Sequence, residues 1–159
     1  MANLTIAQIE DALLAAIGAD DTLKLVAAGG WTKTLESYGG QFEGIAEDLL
    51  VLYPCIFVLF ESGQFSARTQ RTVHADPLTF HVLVGDQNLR GNEAARRGGA
   101  GGIGAYAMAT AMRNLLEGNK LGLDGLAPCH VTRIESELNA KDLSICSLAV
   151  ETSCWLANI

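Results

Sequence analysis

Apolar positions along this chain fall into two spacings, and their order predicts the architecture. From Thr5 to Ile17, the residues Ile6, Ile9, Leu13 and Ile17 recur every three or four positions, which makes one apolar stripe of a helix. Asn3 or Thr5 can cap its start, Glu10 and Asp11 sit early where the helix dipole favours acids, and Gly18 is a natural stop. Asp20 to Ala28 reads as a second, short helix. Gly29, Gly30, Gly39 and Gly40 then punctuate an irregular stretch that holds Trp31 and Tyr38.

The spacing changes at Leu52. Residues Leu52 to Glu61 are β-branched and aromatic through Cys55-Ile56-Phe57-Val58-Leu59-Phe60, too short a run for a typical helix. Pro54 has no amide proton, so it either confines this strand to a sheet edge or stands at its first residue. Leu78 to Val84 is a second strand in which Leu78, Phe80, Val82 and Val84 alternate with Thr79, His81 and Leu83. The two pair as antiparallel neighbours, with a polar connection standing off the sheet. Gly91 to Gly104 reads as a second loop, rich in glycine and arginine. It leads into a helix from Ala105 to Glu117 whose face is marked by Tyr106, Ala109, Met112 and Leu116 and widened by Met108 and Leu115. Leu121 to Pro128 is a turn-rich connector. His130 to Leu138 and Leu143 to Leu156 form a hairpin about Asn139-Ala140-Lys141-Asp142, with Ile134 and Leu138 alternating against Arg133, Glu135 and Glu137 so that one face is wet.

The order is therefore α-β-β-α-β-β. It predicts an α+β fold, a mostly antiparallel four-stranded sheet with helices packed on one face, in a single domain of 159 residues. Apolar residues make up 49% of the chain, enough for a real core. No apolar run approaches the roughly 20 residues that span a bilayer, so no membrane partner is expected. The polar N-terminus, with Asn3, Thr5 and Gln8, argues against a cleaved signal peptide and for the cytoplasm of the producing cell.

The formal charge of −7 argues against a general nucleic-acid binder. Its distribution adds more. Between Ser62 and Gly102 lie Arg68, Arg71, Arg90, Arg96 and Arg97 against Asp76, Asp86 and Glu93, so this segment carries +2 and the rest of the chain −9. Basic loops on an acidic body make these five arginines a candidate self-association surface. Cys55, Cys129, Cys146 and Cys154 lack CxxC spacing and read as buried free thiols.

Candidate chemistry is weak. Gly99-Ala100-Gly101-Gly102-Ile103-Gly104 matches G-x-G-x-x-G before a helix, with Asp124 twenty residues on. The preceding strand ends near Val84, though, and Asp124 sits in a turn-like context, so the glycines read as a flexible loop or a place for close packing between subunits. His74, His81 and His130 could join Cys129 as ligands, but adjacent Cys129 and His130 point to opposite faces of a strand. Glu135 and Glu137 could mimic a carboxylate pair, and a solvated strand face explains them more simply. Trp31 and Trp155 read as core or interface anchors. No catalytic residue, cofactor or metal is expected, and the chain is not expected to be an enzyme.

Several stretches resemble the tail-terminator proteins of tailed bacteriophages, especially those of Mu-like phages and prophages. They are the Ile6-to-Ile17 helix, Tyr53-Pro54-Cys55-Ile56-Phe57-Val58 into Phe60-Glu61, Arg71-Thr72-Val73, the string from Ala95-Arg96-Arg97-Gly98-Gly99 through Gly104-Ala105-Tyr106 into Met112-Arg113-Asn114-Leu115-Leu116, and the closing hairpin to Glu151-Thr152. The resemblance assigns no role to the stretch from Trp31 to Phe42. The resemblance implies a fold like that of lambda-type terminators. It also implies a hexameric ring at the head-proximal end of the virion tail, assembled in the host cytoplasm. Such a ring stops tube polymerisation, contacts the tail tube protein and the head-tail connector, and passes genomic DNA only as cargo. Another neck or tail-completion subunit is the nearest alternative; a nucleotide-binding enzyme using the glycine loop is a more distant one.

Overall fold

The computed structural model describes residues 3–39, 51–65, 75–99 and 102–155. The elements are α1 (Ile6–Ala19), β1 (Thr34–Ser37), β2 (Cys55–Gly63), β3 (Asp76–Gln87), α2 (Asn92–Arg97), α3 (Ala105–Leu116), β4 (His130–Asn139) and β5 (Leu143–Cys154). The class is α+β, as the periodicities predict. The sheet has five strands, however, in the order β1-β2-β3-β5-β4. The pairs β2/β3, β3/β5 and β4/β5 are antiparallel, and β1 lies parallel to β2. The sheet is therefore mixed, and the predicted four-strand order lacks both β1 and α2.

Each addition has a physical source. Lys33-Thr34-Leu35-Glu36-Ser37 carries no apolar alternation, and β1 forms because β2 offers it a ladder. The amides of Lys33 and Thr34 donate to the Pro54 carbonyl at 2.8 and 3.3 Å. Pro54 itself stands immediately before β2, where its missing amide proton costs no ladder bond. The segment predicted as a short helix from Asp20 to Ala28 is a turn followed by one 3₁₀ turn over Val26–Ala28. Asp20 accepts from the Thr22 hydroxyl and from the amides of Thr22 and Leu23, an Asx-type arrangement that ends α1.

Thr5 is the cap of α1. Its hydroxyl accepts from the Gln8 amide at 3.1 Å, and the Gln8 side chain accepts from the Thr5 amide at 2.8 Å, a complete capping box. Ile9, Leu13 and Ile17 are buried, and Ile6 packs at the margin of the core. In α3 the buried stripe is Ala105, Met108, Ala109, Met112 and Leu116. Tyr106, expected on that face, is exposed, because the stripe starts one residue earlier. Both helices cover the same sheet face, where Ile56, Val58, Leu78, Phe80, Val82, Val84, Leu148 and Val150 form the core with them. Phe60 meets Phe80 edge-on at 5.4 Å between ring centroids. All four cysteines are buried and free. Burial pushes the Cys55 thiol up to about 12 and the Cys129 thiol up to about 11, which keeps both protonated as small apolar groups.

Edge strand β4 departs from simple alternation. Ile134 pairs with Leu148 on the helix side, whereas Leu138 pairs with Ile145 on the open side, because the register shifts between Ser136 and Leu138. Both are more than two-fifths exposed. The bulge and the charges of Arg133, Glu135 and Glu137 are features that blunt an edge against indiscriminate strand pairing.

Candidate assembly interface

A buried polar construction lies where β3 ends. Asp86, 2% exposed, follows Val84 and Gly85 into the entrance of α3. Its Oδ2 accepts from the Gly104 amide at 2.8 Å and its Oδ1 from the Gln87 amide at 2.9 Å. Burial pushes this carboxyl above its ordinary 3.8, while the amides of Gly104, Gln87 and Ile103 pull it back down. The orphan donors at the start of a helix are a ready-made anion site. Here the chain's own carboxylate takes up the first of these donors, the Gly104 amide.

The glycines make that closure possible. Gly98 ends α2 with φ +80° and Gly104 begins α3 with φ +91°. A Cβ on Gly104 would lie 2.3 Å from the Gly98 nitrogen, and one on Gly98 would lie 2.2 Å from the Ile103 oxygen. Gly99 and Gly102 exchange amide hydrogen bonds at 3.1 and 3.3 Å. The glycine string thus packs two helix ends backbone to backbone within one subunit. This differs from the expected flexible loop, whose central Ala100 and Gly101 fall outside the described residues.

The second predicted loop is also more ordered than its composition suggests. Asn92 begins α2 and anchors it by donating from Nδ2 to the carbonyls of Ala140 and Leu143 at 2.8 and 3.1 Å, while Ala95 is fully buried. Of the five candidate arginines, the structure gathers Arg90, Arg96 and Arg97 around this helix; Arg68 and Arg71 lie outside the described residues. Arg96 is half-buried and turned inward. Its Nε donates to Asn92 at 2.7 Å, its Nη1 lies 3.3 Å from the Tyr106 hydroxyl, and its guanidinium stands 6.0 Å from the Tyr106 ring centroid. Arg97 is exposed and pairs with Glu93 at 3.3 Å, one helical turn away. Arg90 is exposed, and with Glu93, Ala94, Arg97 and Gly98 it lines an open groove of about 470 Å³. Beside it Leu89 is 91% exposed, a feature that hydrophobic patterning did not single out.

The profile of the family described as Bacteriophage Mu, Gp37 matches residues 5–154. The chain belongs to this family. The Gp37 match runs from the cap of α1 to the last residue of β5, so it includes the glycine-packed corner and the three candidate arginines that are described, Arg90, Arg96 and Arg97. Membership makes this a bacteriophage protein of a structural, tail-related kind. No curated protein matches the chain.

Other predicted candidates are dispersed across the Gp37 fold. Cys129 is buried while His130 is exposed, so the two do point apart. His130 Nδ1 lies 2.5 Å from Glu117 Oε1, and the Val131 amide donates to Glu117 Oε2 at 2.9 Å. That amide, followed by His130, holds the Glu117 carboxyl below its ordinary 4.5. His81 sits on the open sheet face, 2.9 Å from Glu61. His74 is outside the described residues. Glu135 contacts Arg133 at 3.3 Å and Glu137 accepts from the Ser147 hydroxyl at 2.7 Å, so each carboxylate is engaged separately. Asp86 is the buried carboxylate that the pattern did not single out; an acid closing an apolar run ahead of a glycine-rich helix entrance was its available signal.

Proposed function

We propose that this chain is the tail terminator of its phage. Copies of it form a hexameric ring on the head-proximal end of the tail tube. The ring stops tube polymerisation and offers the surface that the head-tail connector joins. The observation that carries this reading is the family match across 5–154, which takes in every element of the fold. The corner at α2 and α3 supports it. Asp86 takes up the Gly104 amide at the α3 entrance and the glycines serve internal packing, which favours this reading over a nucleotide-binding enzyme. The mechanism is steric and electrostatic. One ring face matches the last ring of tube subunits, and the other does not reproduce the tube subunit. With a chain charge of −7, the ring repels the DNA that passes through it and lets it slide as cargo.

Deleting the gene and measuring tail lengths in micrographs tests the role. A terminator gives overlong tails that do not join heads when it is missing. Tails of normal length that fail to join would instead identify a neck or tail-completion subunit, and normal joined tails would remove the chain from tail assembly.

A further inference from the structure

Resting on the ring reading above, we propose that neighbouring copies join head to tail, with the Arg90 corner of one seated on the acidic trough of the next. The trough lies on the open sheet face and is lined by Glu61, Thr79, Thr132, Arg133, Ala149 and Glu151, with a volume of about 340 Å³. A second polar hollow of about 210 Å³ adjoins it and shares Thr79 and Glu151.

Three observations select this pairing. The first is position. Arg90 follows the end of β3, whereas the trough is built from the start of β3 and the end of β5. Thr79 and Gln87 are eight residues apart on one strand, roughly 26 Å at about 3.3 Å per residue. Two complementary patches at opposite ends of a subunit make a heterologous contact, the kind that closes rings; a self-matching patch makes a two-fold dimer instead.

The second is charge. Arg133 is held by Glu135 at 3.3 Å, and Glu61 is held by His81 at 2.9 Å. Glu151 is exposed and, among the described residues, has no cationic partner, and Arg90 has no acidic one. The third is shape. Leu89, 91% exposed, projects beside Arg90, and the trough is a depression able to receive a projecting residue. The occupant is thus a second copy of this chain, recognised by an arginine-carboxylate pair with the Thr79 and Thr132 hydroxyls as further partners.

The test is charge reversal read by native mass spectrometry and light scattering. Arg90→Glu gives a chain whose corner and trough are both acidic; Glu151→Arg gives one in which both are basic. Each variant alone should keep the wild-type circular dichroism spectrum and lose rings, with assembly weakened at least about tenfold, since like charges then face each other. An equimolar mixture should restore rings of alternating composition, and so should the doubly substituted chain. Rings formed undiminished by Arg90→Glu, or a mixture that stays monomeric while wild type assembles, would overturn this contact and leave the ring reading standing. A wild-type chain that is monomeric at every concentration would overturn the ring reading and the contact with it.

Discussion

Replacing Asp86 with alanine removes the acceptor on which the start of α3 rests. The carboxylate is 2% exposed and satisfies the buried Gly104 amide at 2.8 Å. Without it that donor is orphaned, at about 1–3 kcal/mol. The Gln87 amide belongs to an exposed residue and finds water. Removing a buried charge returns a fraction of the loss, because burial already pushes the Asp86 carboxyl upward. The expected net destabilisation is about 2 kcal/mol. At about 2–4 °C per kcal/mol for a chain of this size, Tm should fall by about 4–8 °C. Differential scanning calorimetry at one fixed protein concentration measures it, with urea unfolding as the second observable. Asp21→Ala is the control: its side chain is 97% exposed and, among the described residues, pairs with Lys24, so it should change stability by under about 0.5 kcal/mol. An Asp86→Ala protein that melts with the Asp21→Ala control would refute the claim that this carboxylate holds the corner.

Gly104→Ala should be worse, at about 3 kcal/mol or more, because it combines φ +91° with a backbone contact at 2.3 Å; soluble yield and melting temperature check it. Phe80→Ala should cost about 3–5 kcal/mol in urea unfolding, since it empties a fully buried site against Phe60. NMR titration should give Asp86 a midpoint above 3.8 and Glu117 a midpoint below 4.5. The signs follow by linkage: the Asp86 contribution grows as pH falls through its raised value towards 3.8, whereas the Glu117 contribution is complete above 4.5 and is lost as pH falls through its lowered value. Arg96→Glu with Arg97→Glu should cost about 1–2 kcal/mol, more than an exposed pair of changes, because it breaks the Asn92 bond and sets Glu93 against a like charge one turn away.

The strongest alternations were the easiest parts of the fold to read. Leu78, Phe80, Val82 and Val84 face the core as their period of two requires, and Ile9, Leu13 and Ile17 form the stripe that their spacing predicts. β1 was illegible because its four residues owe their conformation to β2, not to their own pattern. α2 was illegible for a related reason: its six residues, only two of them alanines and the rest polar, hold helical form through the Asn92 anchor and buried Ala95, both tertiary contacts. The arginines were visible as charge but not as geometry. Nothing in their spacing separates inward-turned Arg96 from exposed Arg90, a difference set by where Tyr106 falls on α3. The glycine string matches a nucleotide-binding pattern and reads as a flexible loop or a subunit contact; the backbone that approaches it is the chain's own.

A terminator is defined by where it sits in the tail and in how many copies. A cryo-electron micrograph reconstruction of the intact phage tail addresses both directly. A terminator should appear as six copies in one ring between the last tube ring and the head connector. The chain found at the distal end of the tail, repeated along the tube, or absent from the particle would contradict that role.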